Sequence, residues 1–340
     1  MTSFYSTFIT GAQEIIPTAL KQKLKDVQID KVLDGLIVYR TAEPIEKIKD
    51  LRFFNNTFVL LFQTKDKVSV EKLVKTVLGN KNVLSDIPKA TFKNNHTFRV
   101  IASDENETVS INRNLLVKAE DVISRKLKLK TNRSLPDLEF WFLKRSEGYG
   151  FIGIRITKTP NYEKTLHKGE LRPELANLMC LIGDLKQSDV IFDPFAGYGS
   201  IPTECAMSFK VKHVIAGEKD KGTFKLLEKK VKEFGKKIVL GRWNALNLTS
   251  LTNNSIDKII TDPPWGLYDE KNTNIEEFYQ KMLSEFSRIL KPDGLLIILT
   301  ARKEILEKTI SHSKTFSLMN RYDILVSGKK TAIYKIGTRK

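Results

Sequence analysis

Ser255-Ile256-Asp257-Lys258-Ile259-Ile260-Thr261-Asp262-Pro263-Pro264-Trp265-Gly266 is the stretch on which the reading of this 340-residue chain turns. Its first half has the apolar character of a short buried strand. The hexapeptide Thr261 to Gly266 then sits at that strand's carboxyl end, where open α/β sheets bind their ligands. Two consecutive prolines cannot continue a ladder; each fixes φ near about −65° and keeps the residue before it extended. The outcome is a stiff backbone carrying a carboxylate, bare carbonyls and a flat indole. That set suits a planar amino group: Asp262 and the Pro263 carbonyl accept its two hydrogens, Pro264 stiffens the loop, and Trp265 stacks on the ring. A proline-rich turn around a core tryptophan is the competing reading, and the sequence on either side weighs against it.

Around this stretch, strand and helix patterns alternate. Asp189 to Asp193 reads as a buried strand, Ser200 to Phe209 as a helix, His213 to Glu218 as a strand, Gly222 to Phe234 as a helix and Lys237 to Gly241 as a short strand. After the central strand, a helix over Ile275 to Leu290 is stopped by Lys291-Pro292-Asp293-Gly294. Leu295 to Leu299 is apolar throughout, as a strand buried on both faces is. Strands near Tyr322 to Val326 and Thr331 to Ile336 flank Ser327-Gly328-Lys329-Lys330, which suits an antiparallel pair. Repeated βα units predict a mainly parallel, doubly wound sheet.

Asp193-Pro194-Phe195-Ala196-Gly197-Tyr198-Gly199-Ser200 follows the first strand of this half and opens a helix. Its two glycines let the backbone turn tightly and approach a ligand closely. Glu218 ends the next strand, where an acidic residue can hold both hydroxyls of a ribose. Asn244, in Trp243-Asn244-Ala245, follows the third strand and is placed to meet an adenine amino group. Asp262 follows the fourth. Taken singly, each is an ordinary loop residue; four in order, at four successive strand ends, converge on one crevice. No Lys-Ser/Thr follows the glycines, which excludes a nucleoside-triphosphate loop, and G-x-G-x-x-G is absent. A nucleoside carrying a short amino-acid tail fits better than a dinucleotide.

The first half differs. Phe4 to Thr10, Gly35 to Arg40, Phe58 to Gln63, Thr97 to Ala102, Leu138 to Leu143 and Gly150 to Ile156 read as strands. Glu14 to Leu24, Ser69 to Leu78 and Asn112 to Lys130 read as helices. This is an α+β pattern. Polar residues around Lys158 to Thr165 mark a linker, giving an N-terminal region over 1–160, a linker over 161–170 and an α/β domain over 171–340. Phe53, Phe54, Phe58 and Phe62 are read as core rather than as stacking platforms.

A chain with 57 Lys and Arg against 40 Asp and Glu carries +17. Residues 1–165 hold 28 basic and 19 acidic side chains, a net +9, and the remainder carries +8. A cationic surface spread over both halves favours phosphate backbones. Between Arg113 and Arg133 lie Arg113, Lys118, Arg125, Lys126, Lys128, Lys130 and Arg133 against Glu120 and Asp121 alone. A solvated helix face is the plain reading of that run. The two cysteines, Cys180 and Cys205, read as small core residues, and the four histidines show no metal-ligand spacing. No stretch approaches the roughly 18–20 apolar residues of a membrane span, so a cytoplasmic protein is the expectation.

Residues 171–340 resemble the class I S-adenosylmethionine-dependent methyltransferases, with a Rossmann-like fold. Asp262-Pro263-Pro264-Trp265 resembles the D/N-P-P-Y/F/W motif of those that methylate the amino groups of adenine or guanine. The resemblance implies that the Asp193 loop, with Phe195, Gly197 and Gly199, embraces the methionine moiety. It likewise implies that Glu218 binds the ribose, and Asn244 with Ala245 the adenine; Asn244 stands where aspartate is more usual. Phe4 to Leu24, with Gly11-Ala12-Gln13-Glu14, resembles the ferredoxin-like segment of THUMP-containing RNA-modification proteins. Thr97-Phe98-Arg99-Val100, the basic helix after Asn112, Pro136-Asp137-Leu138-Glu139 and Gly153-Ile154 resemble the THUMP domain itself. His167-Lys168-Gly169-Glu170-Leu171-Arg172-Pro173-Glu174-Leu175-Ala176 matches their entry into the catalytic domain. What this implies is guanine-N2 methylation of tRNA or, less often, ribosomal RNA, with the basic run gripping the RNA. A monomer is implied, with room for a small activator subunit. An adenine-N6 methyltransferase of nucleic acid, a non-catalytic RNA-binding protein and a methyltransferase of protein glutamine are the competing readings.

Overall fold

The computed structural model describes residues 1–66, 68–80, 82–157, 166–266 and 274–339. The chain divides into two compact units, Met1–Phe8 with Ile16–Pro160, and Ile9–Ile15 with Asn161–Lys340. Residues 161–165 of the expected linker lie outside the described residues.

The first unit is built on one mixed sheet. Its strands are β1 (Thr2–Thr7), β2 (Gln28–Leu33), β3 (Leu36–Thr41), β4 (Asn56–Thr64), β5 (Thr97–Asp104), β6 (Glu107–Val109), β7 (Lys130–Thr131), β8 (Leu138–Lys144) and β9 (Gly150–Arg155). They run in the order β2-β3-β1-β4-β9-β8-β5-β6, with β7 paired to β5. Helices α1 (Ile16–Lys23), α2 (Ile45–Lys49), α3 (Val70–Gly79) and α4 (Arg113–Leu127) accompany it. The antiparallel ladder of β4 with β9 joins the earlier and later strands into that one sheet. Leu73, Val74 and Val77 of α3 and Ala119 and Ile123 of α4 bury their apolar sides against Phe98, Phe140, Ile152 and Ile154. Phe53, Phe54 and Phe58 are buried, as core aromatics should be.

Two elements of this unit depart from the sequence reading. The first strand stops at Thr7, not Thr10, because residues 9–15 belong to the second unit. There Thr10 O accepts from Leu325 N at 3.0 Å. Gly11, at φ +91°, passes so close that a Cβ would lie 2.1 Å from Asp323 O. The helix expected over 112–130 begins on the Asn112 cap, whose side chain accepts from Asn114 N and Leu115 N, and ends at Leu127. Lys128 takes a left-handed conformation (φ 57°), and Lys130 already pairs in β7.

The second unit holds α5 (Pro173–Ile182), β10 (Val190–Asp193), α6 (Ser200–Ser208), β11 (His213–Gly217), α7 (Lys221–Val231), β12 (Ile238–Gly241), β13 (Ile256–Thr261), α8 (Ile275–Ile289), β14 (Leu290–Thr300), α9 (Lys303–Ser311), β15 (Phe316–Val326) and β16 (Lys329–Thr338). Its sheet order is β12-β11-β10-β13-β14-β16-β15. The first five strands are parallel, and β16 and β15 are antiparallel additions, as the alternating pattern predicts. The closing hairpin is tighter than expected: Ser327 and Gly328 form its turn with φ 48° and 77°, both left-handed as a two-residue hairpin turn of the primed type needs. Lys291-Pro292-Asp293-Gly294 does end α8, yet the ladder resumes through it. Ile256 faces Leu290 and Lys258 faces Leu295, so these four residues bulge out opposite one. Tyr279, Met282, Leu283, Phe286 and Ile289 of α8 form its buried stripe. They pack with Ile259, Leu296 and Ile298, fixing the helix behind β13 and β14.

Candidate active site

Asp193, Glu218, Asn244 and Asp262 stand at or just beyond the carboxyl ends of β10, β11, β12 and β13, four neighbours in one parallel ladder set. The chain turns from β10 to β11 on one side, while β13 lies on the other. That reversal opens a crevice between the ends of β10 and β13.

Asp193 is almost wholly buried. Its Oδ1 accepts from the Thr261 hydroxyl at 2.7 Å and from Phe195 N at 3.1 Å. Burial pushes its carboxyl up to about 7 against the pull of those two hydrogen bonds, with the Glu218 charge adding to the rise. Rather than reaching outward, Asp193 ties the glycine loop to the strand that carries Asp262. In that loop, Gly197 (φ +52°) has only Phe195 O, at 3.9 Å, near the position a Cβ would take. A side chain there would fill open space over the backbone. Gly199 (φ +89°) is closed in instead; a Cβ would lie 2.7 Å from Leu227 Cδ1 of α7. Phe195 is partly buried and packs on Phe278, 5.8 Å between ring centroids.

Glu218 closes the loop from the adjacent strand. Its Oε2 accepts from Gly197 N at 3.1 Å and its Oε1 from Asp220 N at 2.7 Å. Each carboxylate oxygen retains a lone pair for a further donor, which is what two vicinal hydroxyls need. Asn244 is exposed; its Oδ1 accepts from Leu246 N and its carbonyl from Asn247 N, so it rigidifies its own turn. Ala245 beside it is buried. Together the open space at Gly197, the paired acceptors of Glu218 and the fixed amide of Asn244 fit a nucleoside with an amino-acid tail.

At the end of β13, the Trp265 indole N–H donates to Asp262 Oδ1 at 3.0 Å. Among the described residues, Asp262 Oδ2 takes no protein hydrogen bond. Part of the residue's surface is open, but its carboxyl is pushed up to about 8, chiefly by burial, with the Asp193 charge adding and the Trp265 hydrogen bond opposing. Pro263 is buried, and Pro264 is exposed. Behind Asp262, the Tyr279 hydroxyl and Thr300 Oγ1 are 2.7 Å apart.

Three groups of contacts were not legible in the sequence. Arg302 donates from Nε to Trp265 O at 2.5 Å and from Nη2 to Gly266 O at 3.2 Å, a fork on the end of the hexapeptide. Lys329 Nζ lies over the Trp265 ring, 5.8 Å from its centroid. Residues 166–170, read as the end of a linker, are fastened to the glycine loop. His167 stacks on Tyr198 at 4.2 Å, and Glu170 Oε1 accepts from Ser200 Oγ at 3.3 Å and Lys230 Nζ at 2.6 Å. Nothing local in the sequence signals any of them, since each joins residues at least 30 positions apart. Cys180 and Cys205 are buried core residues, their sulfurs 3.0 Å apart.

The seven basic residues between Arg113 and Arg133 are all exposed, but they do not form one face. Lys118 and Arg125, seven residues apart on α4, share a side, whereas Lys128 and Lys130 have left the helix. Arg133 is paired with Glu120 at 2.6 Å.

Residues 160–234 and 227–329 match the model of the family described as RMKL-like, methyltransferase domain. The tRNA (guanine(10)-N2)-dimethyltransferase of Methanocaldococcus jannaschii is 29% identical over 154 residues, 42% of this chain and 41% of that protein. The tRNA (guanine(6)-N2)-methyltransferase of Thermus thermophilus is 27% identical over 165 residues, 47% of this chain and 49% of that protein. The matches thus span less than half the length of these curated relatives. Among solved structures, TrmN from Thermus thermophilus superposes with a TM-score of 0.77 over 100% of both chains at 19% identity, a likeness of fold.

Proposed function

Since this chain belongs to the RMKL-like, methyltransferase domain family, we propose that it transfers a methyl group from S-adenosylmethionine to the exocyclic N2 amine of a guanosine in tRNA. Asp262 is the observation that carries this reading. Its carboxylate is desolvated, fixed at one oxygen by Trp265 and open at the other, one strand away from the glycine loop. The names of the two curated relatives support guanine N2 and tRNA over other amines and other nucleic acids. In this reading residues 171–340 are the catalytic domain. The first unit is a ferredoxin-like and THUMP RNA-binding region whose Arg113, Lys118, Arg125, Lys126, Lys128 and Lys130 meet phosphates.

The donor, when bound, supplies an electrophilic methyl group on a sulfonium sulfur. The chain's residues do the rest. Gly197, Glu218 and Asn244 hold the amino-acid tail, ribose and base in the crevice. A guanosine leaves its stack to enter, and Trp265 offers its ring to the base. Asp262 Oδ2 and the Pro263 carbonyl accept the two amine hydrogens. Those acceptors draw the nitrogen lone pair out of the ring system, and Asp262 then takes the proton the methylated amine releases. Holding the two reactants in line supplies on the order of 7–11 kcal/mol in favourable cases.

Incubating the protein with labelled donor and unmodified tRNA, ribosomal RNA fragments or duplex DNA, then identifying the nucleosides by mass spectrometry, tests this. N2-methylguanosine from tRNA is the expected product. N6-methyladenosine, label confined to ribosomal RNA or DNA, or no transfer at all would each replace the reading.

Arg302 bonds two backbone carbonyls at the end of the hexapeptide, so Arg302→Ala should act on positioning. It is expected to lower kcat by roughly tenfold, the scale of one lost charged hydrogen bond of about 1.5 kcal/mol. S-adenosylhomocysteine affinity, read by calorimetry, should stay within about twofold. Arg302→Lys should restore only part of the rate, since an ammonium cannot span two carbonyls as a planar fork does.

A further inference from the structure

Helix α7 begins on the Asp220 cap, whose side chain accepts from Thr223 N, and buries Leu227 and Val231. These two residues pack directly on the glycine loop, where they are neighbours of the position a Gly199 Cβ would take. The opposite side of the helix carries Lys221, Lys225 and Lys229, and Lys232 opens the short 3-10 turn that follows. At about 100° per residue, positions spaced 4, 4 and 3 apart fall within an arc of roughly 80° and extend over about 17 Å. All four are exposed, as are Lys219 and Lys236 at the two ends.

Among the described residues, none of these six ammonium groups has a hydrogen-bond or ion-pair partner. The contrast within the same segment is informative. Lys230, turned towards the loop, pairs with Glu170, and Lys237 donates to the Ala206 and Phe209 carbonyls. Elsewhere in the unit some lysines have carboxylates: Lys281 with Glu277, half-buried Lys303 with Asp323 and Lys308 with Glu276. Lys186, Lys210, Lys212, Lys314 and Lys330 stand exposed without one among the described residues, but they are scattered rather than aligned on one helix. A solvated helix ordinarily intersperses the two signs and pairs them at i, i+4. Here Glu228 lies at the border of the row and Glu233 beyond it, and neither bonds a lysine. An anionic membrane would require an apolar flank beside the cations, but the apolar side of α7 is buried in the fold and Leu226 alone stands exposed.

We propose that Lys221, Lys225, Lys229 and Lys232 form a docking strip for the RNA phosphate backbone on the catalytic unit itself. The strip rests on the reading of RNA as substrate and adds to it. It grips the substrate on the far side of the helix that walls the glycine loop, independently of any grip by the first unit. Its contribution is electrostatic and blind to sequence, because each ammonium that meets a phosphate releases condensed counterions.

The test uses the full chain with all four lysines changed to glutamine, K221Q/K225Q/K229Q/K232Q. Filter binding of tRNA is measured between about 50 and 200 mM KCl, beside S-adenosylhomocysteine affinity and steady-state kinetics. The slope of log affinity against log salt should become shallower by about 3, since each of four phosphate contacts contributes about 0.7–0.9. KM for RNA should rise at least tenfold with kcat and S-adenosylhomocysteine affinity nearly unchanged, and the Lys→Arg quadruple variant should behave as wild type. An unchanged slope in a variant that still binds S-adenosylhomocysteine would overturn the strip while leaving RNA as substrate. A wild-type chain that binds and methylates no RNA would overturn the substrate reading, and the strip with it. A variant that keeps its RNA slope but loses binding to phosphatidylglycerol vesicles would reassign the row to a lipid surface.

Discussion

Asp262→Asn is expected to lower kcat by roughly 10²–10⁴-fold, the range of one proton-transferring group, with S-adenosylhomocysteine affinity within about twofold. Asparagine preserves shape and a carbonyl acceptor, but its Oδ1 must serve both the Trp265 indole and the substrate, and it cannot take a proton. The pH profile gives a second reading of the same group. With the carboxyl raised to about 8 in the free protein, the accepting form grows about tenfold per pH unit below that value. The rate constant kcat/KM, which reports the free enzyme, should therefore climb from pH 6 to about 8 and level off above. In the Asn variant that limb should be gone.

Stability follows with a definite sign. The fold holds the Asp262 proton more tightly than the unfolded chain, whose carboxyl titrates near about 4. This contribution is present in full below about pH 4 and is lost as pH rises through about 8. Asp193, raised to about 7, acts in the same direction over the window from about 4 to 7. Urea titrations at pH 5 and 8.5 should thus show Asp262→Asn gaining stability relative to wild type at the higher pH. A residual slope from Asp193 should remain in both. Equal slopes in the two proteins would mean that Asp262 is ionised throughout, and its role would reduce to that of a fixed acceptor.

The hexapeptide was legible because its chemistry is local: two prolines fix the backbone, and the carboxylate and indole are three residues apart. The strand ends were legible because buried parallel strands are apolar runs closed by polar residues. What escaped is what tertiary contact decides. Asp193 and Thr261, joined by one hydrogen bond, are 68 positions apart. Arg302 reaches Trp265 from 37 positions away. Strand β2 alternates exposed and half-buried residues with no fully buried position, so its period marks no core face. Helix α5 is buried at nine of its ten positions, which erases the amphipathic stripe that would have set its bounds. The overlong helix over 112–130 has a simpler cause. Leu127-Lys128-Leu129-Lys130 continues a run of helix formers, and only the left-handed turn at Lys128 shows that the chain has changed to strand.

Glu218→Ala should separate the donor half of the site from the acceptor half. Glu218 meets two backbone N–H groups, Gly197 and Asp220, one on each oxygen, so its carboxylate both shapes the loop and faces the crevice. Hydrogen bonds to a charged group contribute about 1.5–3 kcal/mol each. Losing those to two ribose hydroxyls, partly offset by water, is expected to cost about 3 kcal/mol. That is roughly 100-fold in S-adenosylhomocysteine affinity, readable by calorimetry. Glu218→Gln should fall between, since an amide has one carbonyl for two backbone donors and turns an N–H towards one of them. The kinetic signature should be the reverse of Asp262→Asn: KM for the donor rises about 100-fold while kcat at saturating donor stays within a few-fold of wild type. Wild-type affinity in Glu218→Ala would mean that the ribose is held elsewhere, leaving Glu218 as a clasp on the glycine loop. A loss of kcat as large as that of Asp262→Asn would instead show that the loop positions the reacting groups as well as the donor, and the crevice would then have to be treated as one cooperative site.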